Sequence, residues 1–385
     1  MAVSNTLTSV IPTLYAQGLS ALRSNLVMPG LVLNDFGSEV KEKGEIIQVP
    51  LPSVMSTTAV VPAAYAPDPQ NIGPTTATIP LDTWQESAFT LTEKEYAQVI
   101  AGVVPIQLTA AIQALAYAVN ASIFNNYIYV GNSTGTAGTT PFATTVAAAT
   151  NAGVILDNQL APIQDRVLVL NPTAYGQAEQ LPNFAYALYS GDTNTVNKGV
   201  IKQKFGFDWH KDQQIPTQVA GTLTGTVTAN ATQAAGLTAI AVTTAASSSF
   251  APNVGDIVTF AGDSQTYTVL AGGVATTPLG ASASGTLNIY PAKVVAIGGS
   301  PVALTLTASH VVNLAFQKQA FAFASRPVAP QMGKDPNMHM MVPDPVSGLT
   351  MSLEIREEFH RTRVAYSMLW GTSVVRPNLA CRIFG

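Results

Sequence analysis

The chain has 385 residues, of which 47% are hydrophobic and only 10% charged, with a formal net charge of −4; its mean hydropathy is +0.25. The length supports a large core and two or three domains, while the charge content falls far below the about 25% of an average soluble chain. The acidic balance argues against tight, phosphate-neutralising DNA binding, the single cysteine, Cys381, against a disulfide framework or thiolate metal site, and the lack of an apolar run of about 18 residues against a membrane helix.

A surface this poor in charge makes an isolated monomer prone to association. A large assembly tolerates it, because contacts hide much of each subunit. Met1 to Tyr15 has no basic n-region and no long apolar h-region, so it reads as part of a protein made in a reducing cytoplasm, not as a secretory signal.

In chain order, residues 1–36 read as an arm. Asn5-Thr6 can cap a short helix, Leu14, Leu19, Leu22 and Leu26 have rough helical spacing, and Met28-Pro29-Gly30 breaks it. Residues 37–98 differ in texture. Lys41-Glu42-Lys43-Gly44-Glu45 is a polar turn, and Ile46 to Leu51 a short strand. Pro62, Pro67, Pro69, Pro74 and Pro80 then exclude a central sheet strand, since proline cannot donate to a ladder. The stretch reads as a long two-stranded excursion that rejoins at Trp84 to Leu91, suited to packing on a neighbouring subunit.

Residues 104–128 form the clearest helix. Pro105 suits its start, and Leu108, Ile112, Leu115, Val119 and Ile123 make one stripe. At 1.5 Å per residue it runs roughly 35–40 Å. Gly131 to Pro141 is a small-residue break. Thr145 to Leu160 reads as helix, Arg166 to Leu170 as strand, and Asn171-Pro172 as the start of a helix through Gln180. Phe205, Phe207 and Trp209 alternate as the buried face of a strand.

Residues 217–310 change composition again. Their only Asp, Glu, Lys or Arg residues are Asp256, Asp263 and Lys293. Val254 to Phe260, Thr266 to Leu270, Thr286 to Tyr290 and Val302 to Leu306 read as strands, with Gly272-Gly273 and Gly298-Gly299 at turns. Their even spacing favours an inserted β-barrel over a low-complexity linker. Leu314 to Arg326 is strand-like and Pro327 to Pro345 a loop. Leu349, Met351, Leu353 and Ile355 alternate as a strand that continues, directly or after a bend, through Val364 to Trp370, before Gly371 turns it into a last strand near Ile383.

Candidate chemistry is sparse. Gly131-Asn132-Ser133-Thr134-Gly135 matches the nucleophile-elbow pattern, but a helix rather than a strand precedes it, so a flexible turn is the better reading. Asp335, His339 and Asp344 lie close in sequence without a regular frame for a metal. Lys198, Lys202, Lys204 and Lys211 interleave with aromatics in a pattern that can stack on single strands, yet those aromatics are expected in the core. No Gly-Lys-Ser/Thr phosphate loop occurs. The expectation is no catalytic, cofactor or metal site.

Glu354, Arg356, Glu357, Glu358, Arg361 and Arg363 form the densest charge cluster. It is either a solvated face or a set of contacts between subunits, where paired charges fix orientation. Lys41, Glu42, Lys43 and Glu45 join it as candidate intersubunit contacts.

The order of these elements resembles one family. An arm, a Pro-rich extended loop, a long helix, an α/β region, a barrel insertion and a terminal strand are similar to the Hong Kong 97-like capsid fold, specifically the podovirus-type coat proteins of tailed double-stranded DNA phages that carry an inserted barrel. Asn5-Thr6-Leu7-Thr8 with Ile11-Pro12 and Tyr15, Val169-Leu170-Asn171-Pro172 with Tyr175, Gly206-Phe207-Asp208 before Ile215-Pro216, Phe316 to Phe321, and Arg363 to Tyr366 followed by Gly371 and Val375-Arg376-Pro377 carry the resemblance.

The resemblance implies an α+β chain divided into an N-terminal arm (1–36), an extended loop (37–98), a spine helix with peripheral domain (99–145), a first axial part (146–216), the inserted barrel (217–310), an axial return (311–345) and a peripheral strand with the C-terminus (346–385). It implies a major capsid protein that self-assembles as pentamers and hexamers into an icosahedral head, located in the virion and assembled in the host cytoplasm. The implied partners are a separate scaffolding protein, a portal protein, packaged double-stranded DNA held by weak non-specific contact, and a possible decoration protein, with no membrane. Some members crosslink through a lysine on the extended loop. No Lys lies between Glu45 and Glu93 here, so no such crosslink is expected, and no large N-terminal segment is expected to be removed. The alternative from another class is a β-rich phage tail or surface adhesin component, which would show repeats or a fibrous period that this chain lacks.

Overall fold

The computed structural model describes residues 26–34, 46–51, 57, 73, 75–92, 103–186, 191, 194–326, 339–343 and 349–385. The expected helix before Leu26 and the Lys41–Glu45 turn lie outside them. Met28–Gly30 forms a single 3-10 turn, and the Met28 amide donates to Asn120 Oδ1 at 3.1 Å. β1 (Ile46–Leu51) and β2 (Thr75–Pro80) then pair antiparallel, with Ile47 opposite Ile79. Alternation buries Ile47 and Val49 on one side of this ribbon. With Ile79 and Leu81 they pack on Ala322, Ala324 and Val375, so the base of the excursion is anchored on the main body.

β3 (Thr83–Thr92) leads to the long helix α1 (Val103–Phe124). Pro105 sits in its first turn, where a missing N–H costs nothing. Ile112, Leu115, Val119 and Ile123 are buried, as their spacing requires. Next come β4 (Ser133–Thr134), α2 (Ala147–Asn158) and the fully buried β5 (Arg166–Leu170). Asn171 caps α3 (Pro172–Gln180) by accepting from the Ala174 amide at 3.0 Å, with Pro172 at the first helical position. Two short helices, α4 (Pro182–Ala185) and α5 (Asn194–Lys198), precede β6 (Asp208–Lys211) and β7 (Thr217–Gln218).

The chain leaves the main body at β7 and forms β8 (Thr222–Thr224), β9 (Val227–Ala229), β10 (Ala239–Thr244), β11 (Ser249–Ala251), β12 (Ile257–Phe260), β13 (Tyr267–Val269), β14 (Ser284–Tyr290) and β15 (Val302–Leu306). Strands β10-β14-β13-β12-β15-β9 close a barrel, and β8 pairs with β11 beside it. Val242, Ile240, Val258, Phe260, Tyr267, Leu287 and Ile289 fill a core separate from that of the main body. The expected inserted barrel is therefore present.

The chain re-enters through β16 (His310–Gln317), which pairs with β7, His310 opposite Gln218. β17 (Phe321–Arg326), β18 (His339–Pro343), β19 (Thr350–Glu358), β20 (Arg361–Val374) and β21 (Ala380–Phe384) follow. One sheet runs β4-β21-β16-β5-β6, and a second β17-β20-β19-β18 with β3 also on β20. Most pairings are antiparallel; β5 with β6 and β21 with β4 are parallel.

Several expectations need correction. β18 lies inside the expected 327–345 loop and pairs with β19; it is an edge strand, where Pro343 is tolerated. β19 does not run on into Val364. It turns at Phe359-His360, with His360 at φ 53°, and β20 returns antiparallel. No Gly or Pro marks that turn. Gly371 makes no turn but lies within β20, where a Cβ would meet the Pro80 carbonyl oxygen at 1.9 Å; glycine lets the end of β2 approach the strand. The turn comes later, at Pro377–Leu379. The expected 314–326 strand is broken by a 3-10 turn at Lys318–Ala320. Phe205 is in a turn at φ 53° and is exposed, unlike buried Phe207 and Trp209.

Candidate intersubunit surface

The second sheet is two-faced because its strands alternate. Met351, Leu353, Ile355, Val364, Tyr366, Met368 and Trp370 point into the main core. The intervening residues include Glu354, Arg356, Glu358, Arg361 and Arg363 of the charge cluster. Register places Glu358 opposite Arg361, Arg356 opposite Arg363 and Glu357 opposite Thr362. Two arginines face each other directly, which alone would be unfavourable. Each is matched: Arg356 to Glu354 at 3.1 Å, and Arg363 to Glu86 on β3. Arg361 pairs with Glu358 at the hairpin end.

Trp84 on β3 is 62% exposed. With Glu86, Glu354, Arg356, Arg363 and Ala365 it lines a shallow depression of about 190 Å³. Three residues of the sequence cluster, Glu354, Arg356 and Arg363, are therefore brought together with two that sequence reading missed, Trp84 and Glu86. They lie hundreds of positions away, and only the β3–β20 register joins them. Phe359, 89% exposed at the hairpin tip, and Leu160, 89% exposed, were also missed. Lys41, Glu42, Lys43 and Glu45 lie outside the described residues.

The other candidates have different surroundings. Ser133 sits on β4 beside β21, and its hydroxyl donates to Thr266 Oγ1 on the barrel at 3.0 Å. The expected loop is thus a short strand at the junction of barrel and main sheet. Phe207 is fully buried, and Trp209 is buried against Phe184 and Phe142, so neither offers a free ring face for a base. His339 is on β18; Asp335 and Asp344 lie outside the described residues.

A buried polar seat joins the barrel to the main body. Arg382 on β21 is fully buried and donates to the Gly255 carbonyl at 2.6 Å and to Thr268 Oγ1 at 3.0 Å. Tyr127 donates to Gln218 Oε1 at 2.6 Å, and Gln218 donates to Asp256 Oδ1 at 2.6 Å. Asp256 Oδ2 also accepts from the Gly221 and Asn253 amides. Burial lowers the Arg382 pKa to about 9, so it stays cationic at neutral pH, and raises that of Tyr127.

No protein-family model and no curated protein matches the sequence. Solved structures do match. One from Mycobacterium phage Che8 aligns over 93% of this chain and 90% of its own, with a TM-score of 0.52 at 12% identity. The capsid structure of cyanophage P-SCSP1u aligns over 89% and 84%, with a TM-score of 0.48 at 16% identity. The mature capsid of bacteriophage PhiM1 aligns over 89% and 82%, with a TM-score of 0.45 at 9% identity. At such identities the likeness is one of fold, and the chain has the α+β Hong Kong 97-like fold with a closed six-stranded barrel inserted in it.

Proposed function

We propose that this protein is the major capsid subunit of a tailed phage, self-assembling into the icosahedral shell that encloses double-stranded DNA. The observation that carries the reading is the fold shared with a phage protein across nearly the whole chain. The charge-poor composition supports it, since contacts in a shell hide surface that would make a monomer associate without order. The paired charges around Arg363, with Trp84 among them, supply an intersubunit contact whose ion pairs set orientation more than affinity. The role is structural rather than enzymatic. A separate scaffolding protein, a portal protein and weak contact with DNA complete the proposed partners, and a decoration protein is a further candidate. No covalent crosslink through the extended loop joins the subunits.

The test is expression of the chain with and without a co-expressed scaffolding protein, imaged by electron microscopy. Closed shells, or aberrant shells and tubes without scaffold, are expected. A persistent monomer or small oligomer under both conditions would overturn the reading and favour the adhesin alternative.

A further inference from the structure

The barrel hides every ionised side chain it owns. Asp256 is 1% exposed and Lys293 2%, and the Asp263 side chain is 3% exposed. Asp256 belongs to the seat described above. Asp263 and Lys293 do not; their shielded side chains face each other beside the Phe260 and Tyr267 rings, with Lys293 Nζ 3.0 Å from Asp263 Oδ2.

The surroundings of this pair are specific. Lys293 Nζ lies 4.2 Å from the Phe260 ring centroid and 5.5 Å from that of Tyr267. An ammonium has three donors, and here one carboxylate oxygen and two aromatic faces are its partners. The Tyr267 hydroxyl holds both reaction partners: it donates to Asp263 Oδ2 at 2.7 Å and accepts from the Val294 amide, next to Lys293, at 3.0 Å. The other carboxylate oxygen, Oδ1, accepts from the Gln265 amide at 3.0 Å. The Lys293 backbone is fixed by its own amide to the Leu237 carbonyl at 2.8 Å and by its carbonyl to the Gly236 amide at 2.7 Å.

We propose that Lys293 and Asp263 condense into an intramolecular isopeptide bond that staples the barrel. The reaction is a dehydration and needs no oxidant, reductant or added group. One proton passes from the Nζ ammonium to Asp263 Oδ2, giving an amine and a carboxylic acid. The Nζ lone pair attacks Cγ, and negative charge collects on Oδ1, where the Gln265 N–H stands as an oxyanion donor. A second proton leaves Nζ and reaches Oδ2 through the Tyr267 hydroxyl, which bonds that oxygen. The Cγ–Oδ2 bond breaks, water departs, and the carbonyl re-forms at Oδ1 with one hydrogen left on the amide nitrogen. Nucleophile and electrophile are held in place by four barrel segments, so little ordering remains to be done. Burial keeps the Tyr267 phenol protonated well above its ordinary range. Burial alone would raise the Asp263 carboxyl, but hydrogen bonds from Tyr267, Gln265 and Lys293 hold it below its ordinary value.

Intact-mass measurement of the purified full chain tests this directly. The expected mass is one water below that of the sequence. Lys293 is the only tryptic site between Lys211 and Lys318. An acylated Lys293 resists trypsin, so digestion of the denatured chain should yield residues 212–318 as one peptide, and fragmentation should place the branch between 263 and 293. Lys293→Arg should restore the full mass. A full-mass wild-type chain, cut normally after Lys293, overturns the proposal and leaves a buried ion pair. A succinimide at Asp263-Ser264 would also lose one water, but it would leave Lys293 cleavable and Lys293→Arg equally light; that result overturns the proposal too. The wild-type measurement decides the matter even where the variant fails to fold.

Discussion

Arg382, three residues from the C-terminal Gly385, stands with its guanidinium carbon 5.0 Å from the Tyr127 ring centroid, at the end of the long-helix region. The arginine reaches into the barrel while its strand belongs to the main sheet. One side chain thus ties three parts of the chain, and a cation–π contact supplements its hydrogen bonds.

Arg382→Ala should therefore destabilise the unassembled subunit strongly. It removes a fully buried cation, leaves the Gly255 carbonyl and Thr268 hydroxyl without this partner, and leaves Asp256 without the nearby positive charge. The expected cost is about 3–5 kcal/mol. Tyr127→Phe, which loses only the hydroxyl bond to Gln218, should cost about 1 kcal/mol. Urea unfolding of both variants gives the comparison, and equal costs would contradict the seat's proposed hierarchy.

His310 makes the seat sensitive to acid. Its Nδ1 is 2.9 Å from the Ala308 carbonyl, its Nε2 has no hydrogen-bond partner, and burial lowers its pKa below 6.5 despite the opposing effect of the Ala308 bond; Arg382 lowers it further and Asp256 opposes. The unfolded chain then binds a proton that the folded chain refuses. Stability is complete above the unfolded pKa of about 6.5 and falls as pH drops from there toward the folded value. His210 is lowered in the same direction by burial. Unfolding midpoints measured between about pH 7.5 and 5 should fall with pH, and His310→Asn should flatten that slope in part.

Cys381 should be silent in the native protein. It is fully buried, and burial pushes its thiol up to about 12. Reaction requires a thiolate and access. A thiol reagent should label the folded chain only at the rate of global opening, and label it fully in denaturant. Fast native labelling would mean that β21 opens locally.

On the outer sheet face, Arg363→Glu should leave the subunit folded and impair shell formation. The Arg363–Glu86 pair is exposed, so its loss should change stability by only about 0.2–1 kcal/mol. Reversal of both charges, Glu86→Arg with Arg363→Glu, restores the pair within one subunit. If it also restores assembly, the internal pairing matters; if assembly stays lost, the face reads a neighbour's charge. Unimpaired assembly by Arg363→Glu alone would remove this face from the contact set.

Sequence by itself determined the local elements and the presence of the barrel. The stripe Ile112, Leu115, Val119 and Ile123, the Asn171-Pro172 cap and the Met351–Ile355 alternation are each set by neighbours within a turn or two, and each took its expected place. The near absence of charge in residues 217–310 also marks that stretch as distinct. Tertiary structure alone decided which distant residues meet. The turn at Phe359-His360 has no Gly or Pro to announce it, and the role of Gly371 depends on the carbonyl of Pro80, far away in sequence. Trp84 and Glu86 join Arg363 only through strand register, and Asp263 meets Lys293 only because β12, β13 and β14 close one core. Propensity and periodicity act over a few residues, whereas pairing across sheets is selected by burial of the whole chain, which no local window contains.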